Sequence, residues 1–166
     1  VSASRIYIAV VGSSEADDTT GALAEAVGRA LARQGAVVVC GGLGGVMEAA
    51  CRGASSEGGT TIGILPGPDR AAANPFVDVA IATGMGEARN ALVVRSADAL
   101  VAVGGEFGTL SEIALGLRDG KPVIGLDTWE LRRAGCTVDA IVPATSAETA
   151  VDLALALARA RRDDRV

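Results

Sequence analysis

The chain has 166 residues, 49% of them hydrophobic and only 2% aromatic, with 22 glycines and a formal charge of −5. That balance argues against a general nucleic-acid surface, and no run is long and apolar enough to span a membrane. The three cysteines are odd in number and scattered, and histidine is absent, so neither a disulfide framework nor a usual zinc site is expected.

Residues 5–11 form an apolar run that predicts a first strand, and Gly12-Ser13-Ser14 supplies the turn at its carboxyl end. Thr19 or Thr20 is placed to cap a helix running to Gln34, with Gly35 as its stop. Residues 36–40 predict a second strand that feeds the loop Gly41-Gly42-Leu43-Gly44-Gly45. A helix follows from about Val46 toward Ser56. Residues 60–65 predict a third strand closed by Pro66-Gly67-Pro68, residues 69–76 a loop, and residues 77–82 a fourth strand. A helix over about 87–96 leads to a fifth strand at 99–103. That run is rich in Val and Leu without alternation, as expected of a parallel strand buried on both faces. Gly104-Gly105-Glu106-Phe107-Gly108 then turns into a helix that Thr109 opens. Residues 123–126 predict a sixth strand and residues 140–142 a short further one. Ser146 caps a last helix reaching about Arg161.

Strands alternate with helices throughout, which predicts a single α/β domain over residues 1–166. It is a Rossmann-like, doubly wound, mostly parallel sheet with helices on both faces. Such sheets bind ligands at the carboxyl ends of their strands, near a switch in strand order. The turns at Gly12-Ser13, 41–45, 84–89 and 104–109 all lie at that end.

The 104–109 turn is the most informative of these. A plain strand-to-helix connection needs one or two glycines, whereas this one has three and a hydroxyl at the helix start. Glycines there let the backbone approach a ligand, and the free N–H groups of the first helical turn point at an anion. Gly42-Leu43-Gly44 follows a strand, as in a dinucleotide fingerprint, but the third glycine position falls on Met47. A phosphorylated, mononucleotide-like ligand fits better than a dinucleotide. Gly12, Ser13, Gly42, Gly44, Arg89, Asn90, Gly105, Gly108 and Thr109 are the expected binding residues.

Arg89 stands near the start of a helix, where a cation is mildly unfavourable, so a ligand contact is favoured. Arg95 is expected to point away from it and to pair with Asp98. Thr109 and Glu112 have the spacing of a capping box, which accounts for both residues without chemistry. Glu112 is equally placed to face the ligand across the turn as a carboxylate acid or base. Arg159, Arg161, Arg162 and Arg165 read as a solvated basic tail on the last helix. The Ala- and Leu-rich composition of that helix, with Leu153, Leu155 and Leu157, predicts a homodimer or higher even oligomer.

The segments Gly84-Met85-Gly86-Glu87-Ala88-Arg89-Asn90, 104–112 and Gly120-Lys121-Pro122-Val123-Ile124-Gly125-Leu126 carry a resemblance. Together they are similar to the lysine decarboxylase-like superfamily, which includes the Lonely Guy phosphoribohydrolases and the molybdenum-cofactor carrier-like proteins. The superfamily signature is Pro-Gly-Gly-x-Gly-Thr-x-x-Glu. Gly105, Gly108, Thr109 and Glu112 match it, while Gly104 stands in place of Pro and Glu106 in place of the second Gly. Ala88-Arg89-Asn90 resembles the carrier-like subgroup, whose members often read Ala-Arg-Asn where the hydrolases read Arg-Lys. The likeness runs over roughly residues 5 to 157.

The resemblance implies a phosphorylated nucleotide-like ligand, with the molybdenum cofactor as its carrier-like form and no cofactor needed for chemistry. Its alternative is a phosphoribohydrolase that cleaves the N-glycosidic bond of a nucleoside 5′-monophosphate, with Glu112 and Arg89 as catalytic residues. The superfamily's decarboxylase label would need a Schiff-base lysine. The sole lysine, Lys121, sits in a turn away from the glycine loops and reads as a helix-end cation. No metal ligand set, nucleic-acid partner or membrane partner is expected. A cytoplasmic location is, because the first residues lack a signal-peptide pattern.

Overall fold

The computed structural model describes residues 5–164. Seven strands form one sheet: β1 (Tyr7–Val11), β2 (Val37–Cys40), β3 (Thr60–Leu65), β4 (Val79–Ala82), β5 (Ala99–Val103), β6 (Val123–Leu126) and, after a small hairpin, β9 (Val142–Pro143). Their order is β4-β3-β2-β1-β5-β6-β9, and every neighbouring pair is parallel. The sheet is therefore wholly parallel. The hairpin, β7 (Arg132–Arg133) with β8 (Cys136–Thr137), is antiparallel and stands apart from it.

The helices are α1 (Asp18–Arg33), α2 (Val46–Ser56), α3 (Asn90–Arg95), α4 (Phe107–Arg118) and α5 (Ala147–Asp163). Successive strand residues face opposite layers. Ile8, Val10, Val38, Val101 and Val103 pack with α1, α2 and α5. Ala9, Val11, Val39, Leu100 and Ala102 pack with α3 and α4. All five residues of β5 are buried, which is why its sequence shows no alternation. The α1 and α2 backbones touch: a Cβ at Gly28 would lie 2.0 Å from the Ala50 carbonyl, and one at Gly53 would lie 2.0 Å from that of Glu25. That crossing fixes where the N-terminus of α2 meets the sheet edge.

Several expectations are corrected. Asp17, not Thr19 or Thr20, caps α1, accepting from the Thr20 N–H at 2.7 Å. The α4 helix begins at Phe107, so Thr109 is its third residue and forms no capping box; the helix has no side-chain cap. Thr61 and Asp78 bond each other's backbone and side chains, displacing the start of β4 to Val79. The helix expected over 87–96 opens as a 3₁₀ turn, Gly86–Arg89, before α3. The β7/β8 hairpin turns on Ala134 and Gly135, both at positive φ, and an alanine there gives no sequence signal.

Arg159 is exposed, as a solvated tail would have it, but Arg161 and Arg162 are not part of such a tail. Arg162 pairs with Asp98 and donates to the Arg5 carbonyl, and Arg161 donates to the Asp119 carbonyl, which ties α5 to the layer below. Arg165 lies outside the described residues. Arg95 pairs with Asp119 rather than Asp98. Lys121 donates to the Arg95 and Ala97 carbonyls and so closes the end of α3. Leu155 is buried and Leu153 packs against the same core. Packing within the chain thus accounts for most of the apolar composition of α5. The scattered cysteines are partly gathered: the Cys40 and Cys51 sulfurs lie 3.5 Å apart as buried thiols. No helix among the described residues is long and apolar enough to cross a membrane.

Candidate functional site

The chain leaves β1 toward β2 and later returns to β1's other side as β5. Between the carboxyl ends of β1 and β5 the strand order reverses, the place where open parallel sheets leave a crevice. A cavity of about 310 Å³ sits there, lined by Gly12, Ser13, Ser14, Leu43, Met47, Pro66, Glu87, Arg89, Asn90, Glu106, Gly108, Thr109 and Glu112. A larger hollow of about 630 Å³ lies between α1 and α5. It is a groove on helix surfaces, away from the strand ends, and holds none of the expected residues.

Of the expected residues, Gly12, Ser13, Arg89, Asn90, Gly108, Thr109 and Glu112 line the cavity, whereas Gly42, Gly44 and Gly105 do not. Those three glycines answer local demands. Gly42 has φ 75, and a Cβ there would lie 3.2 Å from the Gly63 Cα in β3. A Cβ at Gly105 would lie 2.5 Å from the Thr109 side chain, and one at Gly44 would crowd the Ser14 carbonyl at 3.3 Å. Gly108 is different. It lies in the first turn of α4 without positive φ, and a Cβ there would meet nothing within 4 Å. Glycine there costs helix stability of about 1 kcal/mol relative to alanine, and no packing demand compensates.

Arg89 is 8% exposed, brought inward because the 3₁₀ turn redirects the chain before α3. Its guanidinium donates to the Gly41 carbonyl at 3.4 Å and to the Asn90 side-chain oxygen. Asn90 in turn donates to Ser111 at 3.0 Å, and Ser111 to the Gly108 carbonyl at 2.6 Å. This chain of bonds links Arg89 to the first turn of α4. Gly41 leaves the room the guanidinium occupies, since a Cβ there would lie 2.5 Å from an Arg89 terminal nitrogen. Neither Gly41 nor Ser111 was singled out by sequence. A residue two strands from Arg89 in order gives no local hint that it must be small.

Two buried polar atoms at this site have no partner: Arg89 Nε and Thr109 Oγ1. Orphaned donors and acceptors are costly, so they favour a ligand with polar oxygens. The uncapped first turn of α4 adds N–H groups that the helix itself cannot satisfy. Glu112 is 6% exposed, and burial, opposed by the Arg89 charge, pushes its carboxyl up to about 7. At neutral pH it is close to half protonated. Neutralisation matters because Glu87 and Glu106 also line the cavity, with Arg89 as its cation. These donors fit an anionic group of modest size.

A family model, that of the SLOG cluster4 family, matches residues 5–159. An uncharacterized protein of Archaeoglobus fulgidus is 50% identical over 121 residues, covering 73% of this chain and 80% of its own. Two solved structures are similar over almost their whole length. The molybdenum cofactor binding protein from Rippkaea orientalis has a TM-score of 0.82 at 36% identity, covering 93% of this chain and 98% of that one. The Moco carrier protein from Chlamydomonas reinhardtii has a TM-score of 0.82 at 33% identity, covering 95% and 99%.

Proposed function

The chain belongs to the SLOG cluster4 family, and from that premise we propose that it binds a phosphorylated, nucleotide-like ligand at the carboxyl ends of β1 and β5 as a molybdenum cofactor carrier. Gly108 carries the proposal, as a glycine in a helix's first turn that no packing or backbone strain requires. It leaves the N–H groups of α4 open to an anion. The phosphate end of the cofactor would sit on those groups, with Thr109 Oγ1 and Arg89 Nε as the further polar contacts. Protonated Glu112 would donate to an anionic oxygen. Asn90 and Ser111 position the arginine. When bound, the cofactor would bring its own metal and redox chemistry, and these residues would hold and orient it.

One observation favours a second reading. A buried carboxyl raised to about 7 beside an arginine suits acid or base work at neutral pH, as cleavage of a nucleoside monophosphate would need. Against it, Asn90 stands where the resembled hydrolases carry lysine, and its amide is engaged by Arg89 and Ser111. Asn90 therefore adds no positive charge to offset Glu87 and Glu106, which also line the cavity. Incubation with AMP separates the two. On the carrier reading, wild type releases no adenine above background. Release that falls by 10²–10⁴ in Glu112→Gln, the usual worth of such a group, would establish the hydrolase instead.

A further inference from the structure

Resting on the phosphate-site reading above, we propose that the hollow beside β6 is a ring-binding subsite for the other end of the same ligand. Trp129 is its stacking surface. The Asp127 carboxylate accepts the paired N–H donors of a 2-amino-4-oxopyrimidine ring, the face that guanine and pterins share.

The hollow measures about 440 Å³, and its wall includes Gly125, Asp127, Thr128, Trp129, Thr137 and Ile141. Strands β5 and β6 are parallel neighbours, so it opens at the same carboxyl edge of the sheet as the glycine turn. Two contacts join it to that turn. Thr128 donates to the Gly104 carbonyl, and Phe107, in the first turn of α4, lies against Trp129 with ring centroids 5.6 Å apart.

The use of aromatics is informative. The chain has one Trp, one Tyr and two Phe. Two of these four meet on the surface between the two hollows, and Phe107 is 76% exposed. Trp129 packs in part against the α3/α4 side of the core, but no core packing holds Phe107 there. Aromatic faces left open at a cavity rim stack planar rings. The indole N–H is buried without a partner, a third orphaned donor on this edge of the sheet.

Charge orients the ligand. Asp127, Glu130 and Asp139 border the hollow, so it rejects phosphate and accepts N–H donors. A ligand with its anion on α4 therefore turns its ring toward β6. Adenine offers a carboxylate no pair of adjacent donors, whereas the N–H and amino groups of guanine or a pterin match both oxygens.

Trp129 is the only tryptophan, so its emission reports this subsite alone. The protein is titrated with GMP, neopterin monophosphate, AMP and ribose 5-phosphate, with binding followed in parallel by calorimetry. GMP or neopterin monophosphate should quench the emission and bind at least tenfold more tightly than the other two; the tighter of the pair identifies the ring. Asp127→Asn keeps a residue that tolerates the backbone here, φ 47. It should abolish the preference, a loss on the order of tenfold to a hundredfold. Suppose instead that all four bind equally, without quenching, and that Gly108→Val removes the binding. The ring subsite is then overturned and the phosphate site stands. If none of the four binds, the phosphate-site reading fails and takes the ring subsite with it.

Discussion

Gly108→Val should lower affinity for AMP and for sulfate by about a hundredfold or more while leaving the melting temperature of the free protein unchanged or slightly raised. Each hydrogen bond to a charged group is worth about 1.5–3 kcal/mol, and the first turn of α4 offers more than one. A Cβ there meets no atom within 4 Å and the backbone is not at positive φ, so the fold has room for a side chain at this position. Valine also has a better helix propensity than glycine by a few tenths of a kcal/mol. Its branched side chain stands over the N–H groups an anion needs. Calorimetric titration together with a thermal melt reads both halves of the prediction. A variant that binds as wild type does would remove α4 from the site.

The second large effect concerns Glu112 and runs against the usual cost of altering a buried residue. Burial lifts its carboxyl to about 7 in the fold, from an ordinary 4.5. The folded protein thus holds this proton more tightly than the unfolded chain. Its contribution to stability is whole below pH 4.5 and is lost as pH rises through 7. Above pH 8 the ionised side chain is a burden of about 3 kcal/mol. Glu112→Gln should therefore stabilise the free protein by roughly that much at pH 8 and change it little at pH 5. Urea unfolding at the two pH values measures this. A glutamine variant less stable than wild type at pH 8 would mean that Glu112 is a structural partner of Arg89. A carboxylate kept at such cost in the free protein is the kind of group that ligand sites retain.

The parallel sheet and the edge that carries the crevice were legible because apolar runs such as 99–103 and the glycine turns after β1 and β5 are local signals. The roles of individual glycines were not. Composition shows that a loop is constrained but not by what: Gly42 answers to the β3 backbone, Gly105 to Thr109, Gly41 to the Arg89 guanidinium, and Gly108 to no protein atom. Helix starts were misplaced for a related reason. Thr19, Thr20 and Thr109 all look like caps, yet Asp17 caps α1, and α4 has no side-chain cap at all, because each helix begins before the threonine that seemed to open it. Arg89 was found by its awkward charge at a helix start, although its burial depends on a 3₁₀ turn that no residue type announces. Trp129 and Phe107 went unremarked because they are far apart in sequence and meet only across the β5 and β6 ends.

The most direct test of the carrier function is retention of the cofactor itself. Wild type and Gly108→Val would be mixed under anaerobic conditions with molybdenum cofactor released from a donor enzyme, passed through a desalting column, and assayed for molybdenum and for the cofactor's fluorescent oxidation product. Wild type should elute with close to one molybdenum and one pterin per chain, and Gly108→Val with almost none. Elution of wild type free of both, or equal retention by the two proteins, would contradict the account.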